Sequence, residues 1–472
     1  MPNKVLIRKI YLCPKIDFPF LFTMKHILLL GAGRSSDVLI HYLLELCQKE
    51  GYRLTVADAS QQTAQAKIAA NSGDGASAKA IILDGNNQEQ CRSVVQDADV
   101  VISLLPPAAH LTVAKACVEF GRPLLTASYV SADMRALHQE AEAKGVLLLN
   151  ELGFDPGIDH MSAMQIIDRL HAQDAVITAL RSYAGGLVAP EYDNNPWHYK
   201  FTWNPRNVVL AGKGTAKYMI NGQAKYVPYH RLFSHTEDVF IEGLGDYEGY
   251  PNRDSIIYRE LYGLRQIPTI LRGTLRRKGF CAAWNTFVQL GMTDDEIIIE
   301  NSANMTYREF TNTFLQYSRM YLVEEKLAKM MNVAPKSELI EKIKWLGLFS
   351  HNKIGLERAT PAQILQNLLE QKWKLEEGDR DMVILQHRFE YHKAEGNFEI
   401  VSDLIVYGDD NHHTAMAKTV GLPLGIGAKL VLHNQIPLKG VQIPVMREVY
   451  EPVLAELTTR GISFREKERQ VE

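Results

Sequence analysis

At 472 residues the chain is too long for a single hydrophobic core, so we expect two or three domains. Hydrophobic residues make up 46% of it and charged residues 23%, which is ordinary globular composition. The formal net charge of −3 provides no basic excess for nucleic acid, and no apolar run reaches the ~20 residues that a membrane span needs. Its five cysteines show no C-x-x-C pairing. We therefore expect reduced thiols in a cytoplasmic protein that binds neither nucleic acid nor membrane.

Residues 1–23 precede the first regular pattern. They carry scattered lysines and arginines before a short apolar run over 18–22, without the longer apolar region and small-residue cleavage site of a secretory signal. We expect Met24 to be the functional start and this leader to be disordered. A targeting peptide is the alternative.

The first regular stretch has the order strand, glycine turn, helix. The apolar run 27–30 is typical of a strand buried on both faces, and Gly31-Ala32-Gly33 follows it. Leucines then recur at helical spacing, and a second strand over 54–57 ends at Asp58. Four further strands are predicted, over 80–83, 100–105, 123–126 and 146–149. Strands alternating with helices across short links predict a Rossmann domain, a doubly wound parallel sheet, over 24–150.

Beyond Asn150 the pattern changes. Gly, Pro, Asn and aromatic residues are dense over 153–276, which predicts functional loops. The chain is mostly helical over 294–374, most clearly over 300–327 and 336–348, and strands return over 381–385, 388–391 and 400–407. We predict an α/β substrate domain with a helical insertion. Its expected boundaries are 151–293 and 381–440 for the substrate domain, 294–380 for the insertion and 441–472 for a C-terminal segment.

The glycine turn predicts a dinucleotide site. It has the pattern G-x-G-x-x-S, in which Gly31 permits the tight turn and Gly33 lets backbone N–H groups approach a pyrophosphate. We expect Arg34 and Ser35 to contact the cofactor beside them. A turn without a ligand is the alternative, but its place between a buried strand and a helix strengthens the prediction.

Asp58 bears on the choice of cofactor. It ends the second strand, where an acidic residue holds the ribose hydroxyls and repels a 2′-phosphate, so NAD is favoured and NADP remains possible. The alternative is an Asp that caps the next helix. We expect Asp84, Ser103 and Leu104, at the ends of other strands, to line the same crevice.

Arginines in the later loops suggest carboxylate recognition, because a guanidinium binds a carboxylate through two parallel hydrogen bonds. Arg253 lies in one such loop, and Arg272 and Arg276 lie in the segment Leu271–Arg276. Arg272, Arg276, Arg277 and Lys278 would equally suit a solvated cationic patch. Residue types alone do not decide between the two.

Together these segments resemble the glutamate-forming saccharopine dehydrogenases from Lys25 to about Arg465. The resemblance rests on the glycine turn, on long irregular motifs in the later loops and on Thr414–Pro423. Its further motifs are 102–106 with His110, Ser128-Tyr129, Gly153–His160, Tyr199-Lys200-Phe201, Tyr250–Ser255 and Arg272–Arg276.

The resemblance implies roles for individual residues. Asp155 and Tyr129 are the expected catalytic residues, with Asp155 orienting the substrate amine; the general acid/base stays open among these two, His110, His160 and Lys200. The substrate contacts that it implies are Ser128, Tyr129, Asp155, Arg253, Thr274, Leu275 and Arg276. The further cofactor contacts that it implies are Ser128, Phe154, Asp155, Pro156 and Asn204.

The resemblance also implies the reaction. A hydride leaves the lysine-derived ε-carbon of saccharopine, and the imine hydrolyses to glutamate and 2-aminoadipate 6-semialdehyde. Two positions depart from relatives: Ala184 replaces a usual cysteine, and Asp58 replaces the arginine of fungal biosynthetic enzymes but agrees with animal catabolic domains.

Two alternatives to this reaction stay open, a carboxynorspermidine-type dehydrogenase and a non-catalytic dinucleotide sensor. The adjacent pair His412-His413 lacks metal-site spacing, so no metal is expected. The sequence leaves the oligomeric state undecided, with a homodimer as one expected form.

Overall fold

A computed structural model describes residues 24–72 and 78–471. The predicted leader over 1–23 lies outside the described residues. Most of the described chain is organised around two β-sheets, and each sheet is described below with the helices that cover it.

The first sheet has seven strands in the order β15-β6-β5-β4-β1-β2-β3, and all of its paired strands are parallel. Every residue of β1 is buried, because helices cover both faces of the sheet. This arrangement confirms the predicted Rossmann fold. The elements up to β6 are β1 (His26–Leu30), α1 (Asp37–Glu50), β2 (Arg53–Asp58), α2 (Gln61–Asn71), β3 (Ala78–Ile82), α3 (Gln88–Val95), β4 (Val100–Ser103), α4 (His110–Phe120), β5 (Leu124–Thr126), α5 (Ala132–Ala136), α6 (His138–Ala143) and β6 (Leu147–Leu149).

The second sheet has nine strands. Its main path runs β10-β11-β12-β7-β13-β14-β16, with β8 paired to β12 and β9 paired to β8. The pair β7–β12 is parallel within an otherwise antiparallel sheet. Its elements and the helices beside them are α7 (Ile158–His171), β7 (Val176–Val188), α8 (Pro205–Val209), β8 (Ala216–Ile220), β9 (Gln223–Val227), α9 (Tyr229–Leu232), β10 (Glu237–Ile241), β11 (Gly245–Pro251), α10 (Tyr258–Leu261), β12 (Thr269–Arg277), α11 (Phe280–Leu290), β13 (Asp381–Lys393), β14 (Gly396–Tyr407) and β16 (Arg465–Val471). The two strands predicted over 381–385 and 388–391 are therefore one continuous strand.

The helical insertion contains α12 (Tyr307–Thr313), α13 (Val323–Met330), α14 (Glu338–Leu346) and α15 (Pro361–Lys372). The prediction of a helical piece over 300–327 is wrong before Tyr307 and again between α12 and α13. A Thr306 capping box starts α12, but the chain then leaves helical structure until α13. Tyr317 and Met320 in that gap are largely exposed, so no buried apolar face holds the intervening residues in a helix.

The C-terminal part returns to the first sheet. Helix α16 (Ala415–Leu432) packs against α1, and β15 (Gly440–Gln442) pairs with β6 before α17 (Arg447–Thr459) packs against α7. A Cβ at Gly421 would lie 2.9 Å from the backbone nitrogen of Leu39, so this glycine permits the close approach of α16 to α1. The expected boundary of the substrate domain at residue 440 stays a prediction, and residues 415–442 contribute α16 and β15 beside the first sheet.

Helix α16 is also the one helix within the described ranges that is long and apolar enough to cross a membrane. Most of it, 78%, is buried inside the protein. It forms part of the large core that joins the two sheets, together with α1, α7 and α17.

Candidate active site

The turn between β1 and α1 has the backbone geometry that a dinucleotide needs. Gly31 has a φ of +97°, and a Cβ there would lie 3.0 Å from the carbonyl carbon of Leu104. Gly33 is exposed, and a Cβ at this position would meet nothing within 4 Å, so the space beside the start of α1 is open. Arg34 is exposed and Ser35 is half-buried. The turn therefore fits a pyrophosphate that approaches backbone N–H groups at a helix N-terminus.

Asp58 lies beside this turn at the end of β2. Its Oδ2 accepts a hydrogen bond from the Ala32 N–H at 2.8 Å, and its Oδ1 accepts one from the Ser60 N–H at 3.0 Å. The Ser60 side chain caps α2 by accepting from Thr63, so the alternative that Asp58 caps this helix is wrong. Asp84 follows β3 on the same edge of the sheet and is exposed.

A chain of polar side chains begins where β4 ends. The Ser103 hydroxyl contacts His110 Nδ1 at 2.9 Å, and His110 Nε2 contacts the Ser128 hydroxyl at 2.8 Å. His110 is buried, which lowers its pKa to about 4 and favours the neutral ring. A neutral ring donates through one nitrogen and accepts through the other, so His110 holds the hydroxyls of Ser103 and Ser128 in fixed orientations.

Tyr129 and Asp155 are in direct contact. The Tyr129 hydroxyl donates to Asp155 Oδ1 at 3.0 Å, and Arg272 Nη2 donates to the same oxygen at 2.6 Å. Burial raises the pKa of Asp155 and exceeds the lowering effect of Arg272. Burial and the nearby Asp155 also raise the pKa of the Tyr129 hydroxyl. Asp155 can therefore take a proton from a bound amine more readily than an exposed Asp would.

Behind Asp155 lies a buried group of charged side chains. Arg272 also pairs with Asp159, and His160 Nε2 lies 2.9 Å from Glu151 Oε2. Burial opposes ionisation of Asp159, but His160 and Arg272 outweigh it and lower the pKa of Asp159. Burial likewise opposes ionisation of Glu151, and its hydrogen bond with His160 lowers the pKa of Glu151. Asp159 and Glu151 are thus held as anions next to the candidate catalytic pair.

A cavity of about 320 Å³ opens beside this group. Tyr129, Glu151, Arg253 and Arg272 are among its lining residues. Arg253 is exposed, has a φ of +50°, and places its guanidinium 4.7 Å from the centre of the Tyr129 ring. Its position at the cavity wall suits the predicted role in binding a carboxylate.

Arg276 lies in a different setting, further along β12. Its side chain is buried and its guanidinium lies 5.0 Å from the Tyr199 ring and 5.4 Å from the Phe280 ring. Its only hydrogen-bond acceptor within the described residues is a backbone carbonyl, at 2.8 Å, and its Nε has no partner there. The buried hydroxyls of Tyr199 and Thr202 also lack partners among those residues. Because buried polar groups are normally paired, these three side chains offer the donors that an anionic ligand requires.

The other predicted contacts are distributed around these groups. Thr274 shares a sheet face with Arg272 and Arg276, since alternate residues of a strand point the same way. Leu275 is fully buried in the core on the opposite face, so its side chain does not face the pocket. Phe154 is buried, and a cis peptide bond joins Asp155 to Pro156.

Two further candidates have structural partners. Asn204 is exposed, and its side chain caps α8 by accepting from the N–H groups of Arg206 and Asn207. Lys200, a candidate acid/base, forms a buried ion pair with Asp379 at 2.6 Å. The structure places neither side chain in contact with Asp155.

Three residues of the candidate site were not among the predicted site residues: Arg272, Asp159 and Glu151. A signal for Arg272 was present, because it is four residues from Arg276 in a strand and must share its face. Glu151 lies just before the predicted motif Gly153–His160 and Asp159 lies within it, but nothing in the sequence showed that Arg272 and His160 would meet them. Among the described ranges, no group of three or more His, Cys, Asp or Glu side chains is arranged to hold a metal ion.

The Rossmann sheet and the open glycine turn define a dinucleotide-binding fold, and the Asp155–Arg272 pair lies at the loop that follows it. Two family descriptions match the chain: "Saccharopine dehydrogenase NADP binding domain" over residues 27–149 and "Saccharopine dehydrogenase C-terminal domain" over residues 153–462. The chain belongs to the saccharopine dehydrogenase family, which confirms the membership predicted from its motifs.

Individual relatives agree with this assignment. Saccharopine dehydrogenase [NADP(+), L-glutamate-forming] of Schizosaccharomyces pombe is 34% identical over 94% of this chain and 99% of its own length. The solved structure of the apo, histidine-tagged saccharopine dehydrogenase (L-Glu forming) from Saccharomyces cerevisiae has a TM-score of 0.83 and 33% identity, covering 94% of this chain and all of that one. Mitochondrial alpha-aminoadipic semialdehyde synthase of Rattus norvegicus is 35% identical, but the chain spans only 48% of that relative's length.

Proposed function

We propose that the protein oxidises saccharopine to glutamate and 2-aminoadipate 6-semialdehyde, in lysine degradation. The observation that carries the proposal is Arg276, whose buried Nε has no partner among the described residues, together with the cavity lined by Arg253 and by Tyr129, whose hydroxyl contacts Asp155. Saccharopine is a secondary amine with three carboxylates. A site with two separate arginines and a carboxylate of raised pKa suits such a substrate.

The cofactor supplies the hydride acceptor, and the protein prepares the substrate amine. Asp155 takes the proton of the secondary ammonium, because an amine must be neutral to lose a hydride from its neighbouring carbon. Arg253 and Arg276 hold carboxylates away from that carbon, and Ser128, oriented by His110, contacts both ligands. The hydride leaves the ε-carbon on the lysine side, and water adds to the resulting imine to release glutamate.

We infer that NAD is the preferred cofactor. Asp58 supports this proposal, because a carboxylate beside the glycine turn repels a 2′-phosphate. The fungal relatives are named for NADP(+), and one family description names an NADP binding domain, so this preference would distinguish the chain from those relatives. Arg34 is exposed next to Gly33 and is the nearby cation that could favour a phosphate instead.

A single assay tests the reaction and the cofactor together. The purified protein is mixed with saccharopine and either NAD⁺ or NADP⁺, and the absorbance of the reduced nicotinamide is followed. We expect turnover, faster with NAD⁺, and glutamate in equal amount to the reduced cofactor. Release of lysine instead of glutamate would contradict the proposed regiochemistry. Binding of NADH without oxidation would favour a sensor, and turnover of carboxynorspermidine alone would favour the polyamine-type enzyme.

The proposed cellular setting is the cytoplasm, and the proposed assembly is a homodimer. Five cysteines without C-x-x-C pairing support the cytoplasmic setting. Fractionation of cells that express a tagged full-length chain tests the first. Light scattering on the purified protein tests the second, and a mass of one chain would contradict it.

A further inference from the structure

Glu151 is a buried carboxylate in a backbone conformation that glutamate rarely adopts. Its φ is +57°, in the left-handed region that favours glycine, and only 5% of its surface is exposed. Such conformations cost free energy and cluster at functional sites. Glu151 also lines the cavity of about 320 Å³ beside Tyr129 and Arg253. The unfavourable backbone conformation is therefore found at a residue whose side chain borders a space for a ligand.

Three neighbours fix the carboxylate of Glu151. Its Oε1 accepts from the Val130 N–H at 3.0 Å, and its Oε2 accepts from the Tyr258 hydroxyl at 3.3 Å and lies 2.9 Å from His160 Nε2. Burial opposes ionisation of Glu151, but its hydrogen bonds with His160 and Val130 outweigh burial and lower its pKa. A carboxylate oxygen has two lone pairs, and Oε1 has one donor among the described residues. Glu151 is thus an anion of fixed position that can accept a further N–H donor.

Arg135 provides a cation at the same cavity. It lies in the short helix α5, is exposed, and forms no ion pair within the described ranges 24–72 and 78–471. Val130, whose N–H binds Glu151, is next to the N-cap residue of that helix. A guanidinium is always charged in proteins and binds a carboxylate through two parallel hydrogen bonds. An anion and a cation that both have capacity for a ligand therefore lie at one cavity.

The other charged residues of the cavity already have a partner or an assigned role. Asp254 pairs with Lys217 at 3.1 Å, and Arg272 pairs with Asp155 at 2.6 Å. Arg253 is the proposed anchor of one substrate carboxylate. Apolar side chains form much of the remaining wall, among them Ile257, Leu261, Ile443 and Val445. The cavity therefore suits an aliphatic chain that ends in one positive and one negative group.

We propose that this cavity binds the free α-amino-acid end of the substrate, with the α-ammonium group on Glu151 and the α-carboxylate on Arg135. The inference rests on the proposed oxidation of saccharopine and assigns the two groups of that molecule which still lack a partner. Saccharopine has three carboxylates, of which Arg253 and Arg276 bind two, and one primary ammonium group on the lysine-derived α-carbon. The chain between this α-carbon and the ε-carbon lies along the apolar wall. Glu151 and Arg135 together select a zwitterionic amino acid over an amine without a carboxylate.

The test of Glu151 compares saccharopine with N-(5-carboxypentyl)-L-glutamate, which lacks only the α-ammonium group. In the wild-type protein we expect kcat/KM for the analogue to be lower by about 10- to 150-fold, the range for a hydrogen bond between charged groups. In Glu151→Gln this ratio should fall close to one, because the uncharged amide does not attract the ammonium group. A purely structural role slows both substrates equally, so an unchanged ratio in Glu151→Gln overturns the proposal. Glu260→Gln is the matched control, since Glu260 is exposed and pairs with Arg265.

The test of Arg135 uses N-(5-aminopentyl)-L-glutamate, which lacks only the α-carboxylate. Arg135 is exposed, so Arg135→Ala should fold normally even if Glu151→Gln does not. Arg135→Ala should lower kcat/KM for saccharopine by about two- to fivefold, the range for an exposed ion pair, and leave kcat/KM for the analogue unchanged. An equal effect on both compounds, or on neither, removes Arg135 from the site and overturns the proposal. Arg265→Ala is the control for an exposed arginine outside the cavity.

A binding measurement without turnover separates this proposal from the proposed function. Isothermal titration calorimetry with the purified protein and NAD⁺ compares L-norleucine, which has an α-amino-acid end on an aliphatic chain, with hexanoate, which lacks the ammonium group. We expect L-norleucine to bind more tightly than hexanoate, and Glu151→Gln to remove the difference. That result supports the site even if saccharopine is not oxidised, which would contradict only the proposed function. Equal binding of the two compounds by the wild-type protein overturns the proposal.

Discussion

Arg272 and Asp155 are joined by a 2.6 Å hydrogen bond although 117 residues separate them in the chain. Arg272 comes from β12 of the second sheet, and Asp155 comes from the loop that follows the Rossmann domain. The same guanidinium pairs with Asp159 and is almost fully buried. The Arg272 side chain therefore links the second sheet to the loop that precedes α7.

Removing Arg272 should destabilise the protein strongly. Arg272→Ala leaves Asp155 and Asp159 close together without their cation, which typically costs about 3–5 kcal/mol when a buried pair is broken. Urea unfolding of both proteins measures the difference. Arg265→Ala is the control, because the Arg265–Glu260 pair is exposed and should change the free energy of unfolding by less than about 1 kcal/mol. Equal effects of the two substitutions would contradict this prediction.

Replacing Arg276 should weaken saccharopine binding. Arg276→Ala leaves a substrate carboxylate desolvated and unpaired, at a cost of about 2–5 kcal/mol, while Arg276→Lys recovers only part of it. We expect the loss in the saccharopine KM, with cofactor binding unchanged, since this residue is remote from the reacting carbon. Arg277→Ala is the matched control, because Arg277 points to the opposite face and contacts Tyr247.

Arg253→Ala should raise the same KM by less than Arg276→Ala. Arg253 is exposed, so water screens its interaction with a carboxylate and can solvate the ligand after truncation. Steady-state kinetics on the two single variants ranks them. An unchanged KM in either variant removes that arginine from the proposed site, and an unchanged KM in both would make an amine-rich substrate the better proposal.

Changing Asp58 should change the cofactor preference. Asp58→Arg removes the charge that repels a 2′-phosphate, so the ratio of kcat/KM for NAD⁺ over NADP⁺ should fall by about 5- to 150-fold, or ~1–3 kcal/mol. Asp58→Asn retains an oxygen that can accept from the Ala32 N–H, and it separates loss of charge from loss of turn structure. A wild-type protein that prefers NADP⁺ would show that Asp58 does not set the preference.

The pH profile of kcat/KM should report Asp155. Burial raises its pKa above the ordinary value, and the amine can lose its proton to Asp155 only when the carboxylate is ionised. Activity should therefore fall as the pH drops through this raised pKa. Asp155→Asn should remove this acid limb and lower kcat by about 10²- to 10⁴-fold. An Asp155→Asn protein with the same limb would assign that titration to another group.

Asp381 should make the stability depend on pH. Its buried carboxylate accepts hydrogen bonds from the N–H groups of Ala415 and Met416 at the start of α16, and burial raises its pKa to about 6. A folded-state pKa above the ordinary value of 3.8 means that the folded protein binds this proton more tightly than the unfolded chain. Relative to Asp381→Asn, the free energy of unfolding should thus fall by about 2–3 kcal/mol as the pH rises from 4 through 6. Denaturant unfolding at several pH values tests this, and parallel curves would contradict it.

Local sequence predicted the Rossmann half well. The strand-turn-helix order around Gly31, and the apolar runs of the later strands, reflect burial on two faces and need no knowledge of distant contacts. The prediction was wrong over 314–322, where helical residue types lie on the surface without a face to bury. Propensity alone could not show this, because the packing of α12 and α13 decides which residues are covered.

The candidate site was only partly predictable. Tyr129 and Asp155 lie in adjacent motifs and do meet, and the tests above address their roles. The sequence left Arg272 open between carboxylate recognition and a cationic patch, because its partners lie in a loop more than a hundred residues earlier. Leu275 is the opposite case, a predicted contact that the structure turns away. The resemblance implies substrate contacts from Thr274, Leu275 and Arg276, but successive side chains of a strand point to opposite faces, so Leu275 packs in the core.

The position of β15 determines when the first sheet can be completed during synthesis of the chain. The first sheet gains its outermost strand from residues 440–442, and α16 covers α1 only once residue 432 has been made. A nascent chain that has emerged only as far as β6 therefore exposes the open edge of β6 and the apolar side of α1. Unpaired strand edges and exposed apolar surface favour aggregation. The first sheet can therefore be completed only after residue 442 has left the ribosome, and until then its edge at β6 favours association with other chains.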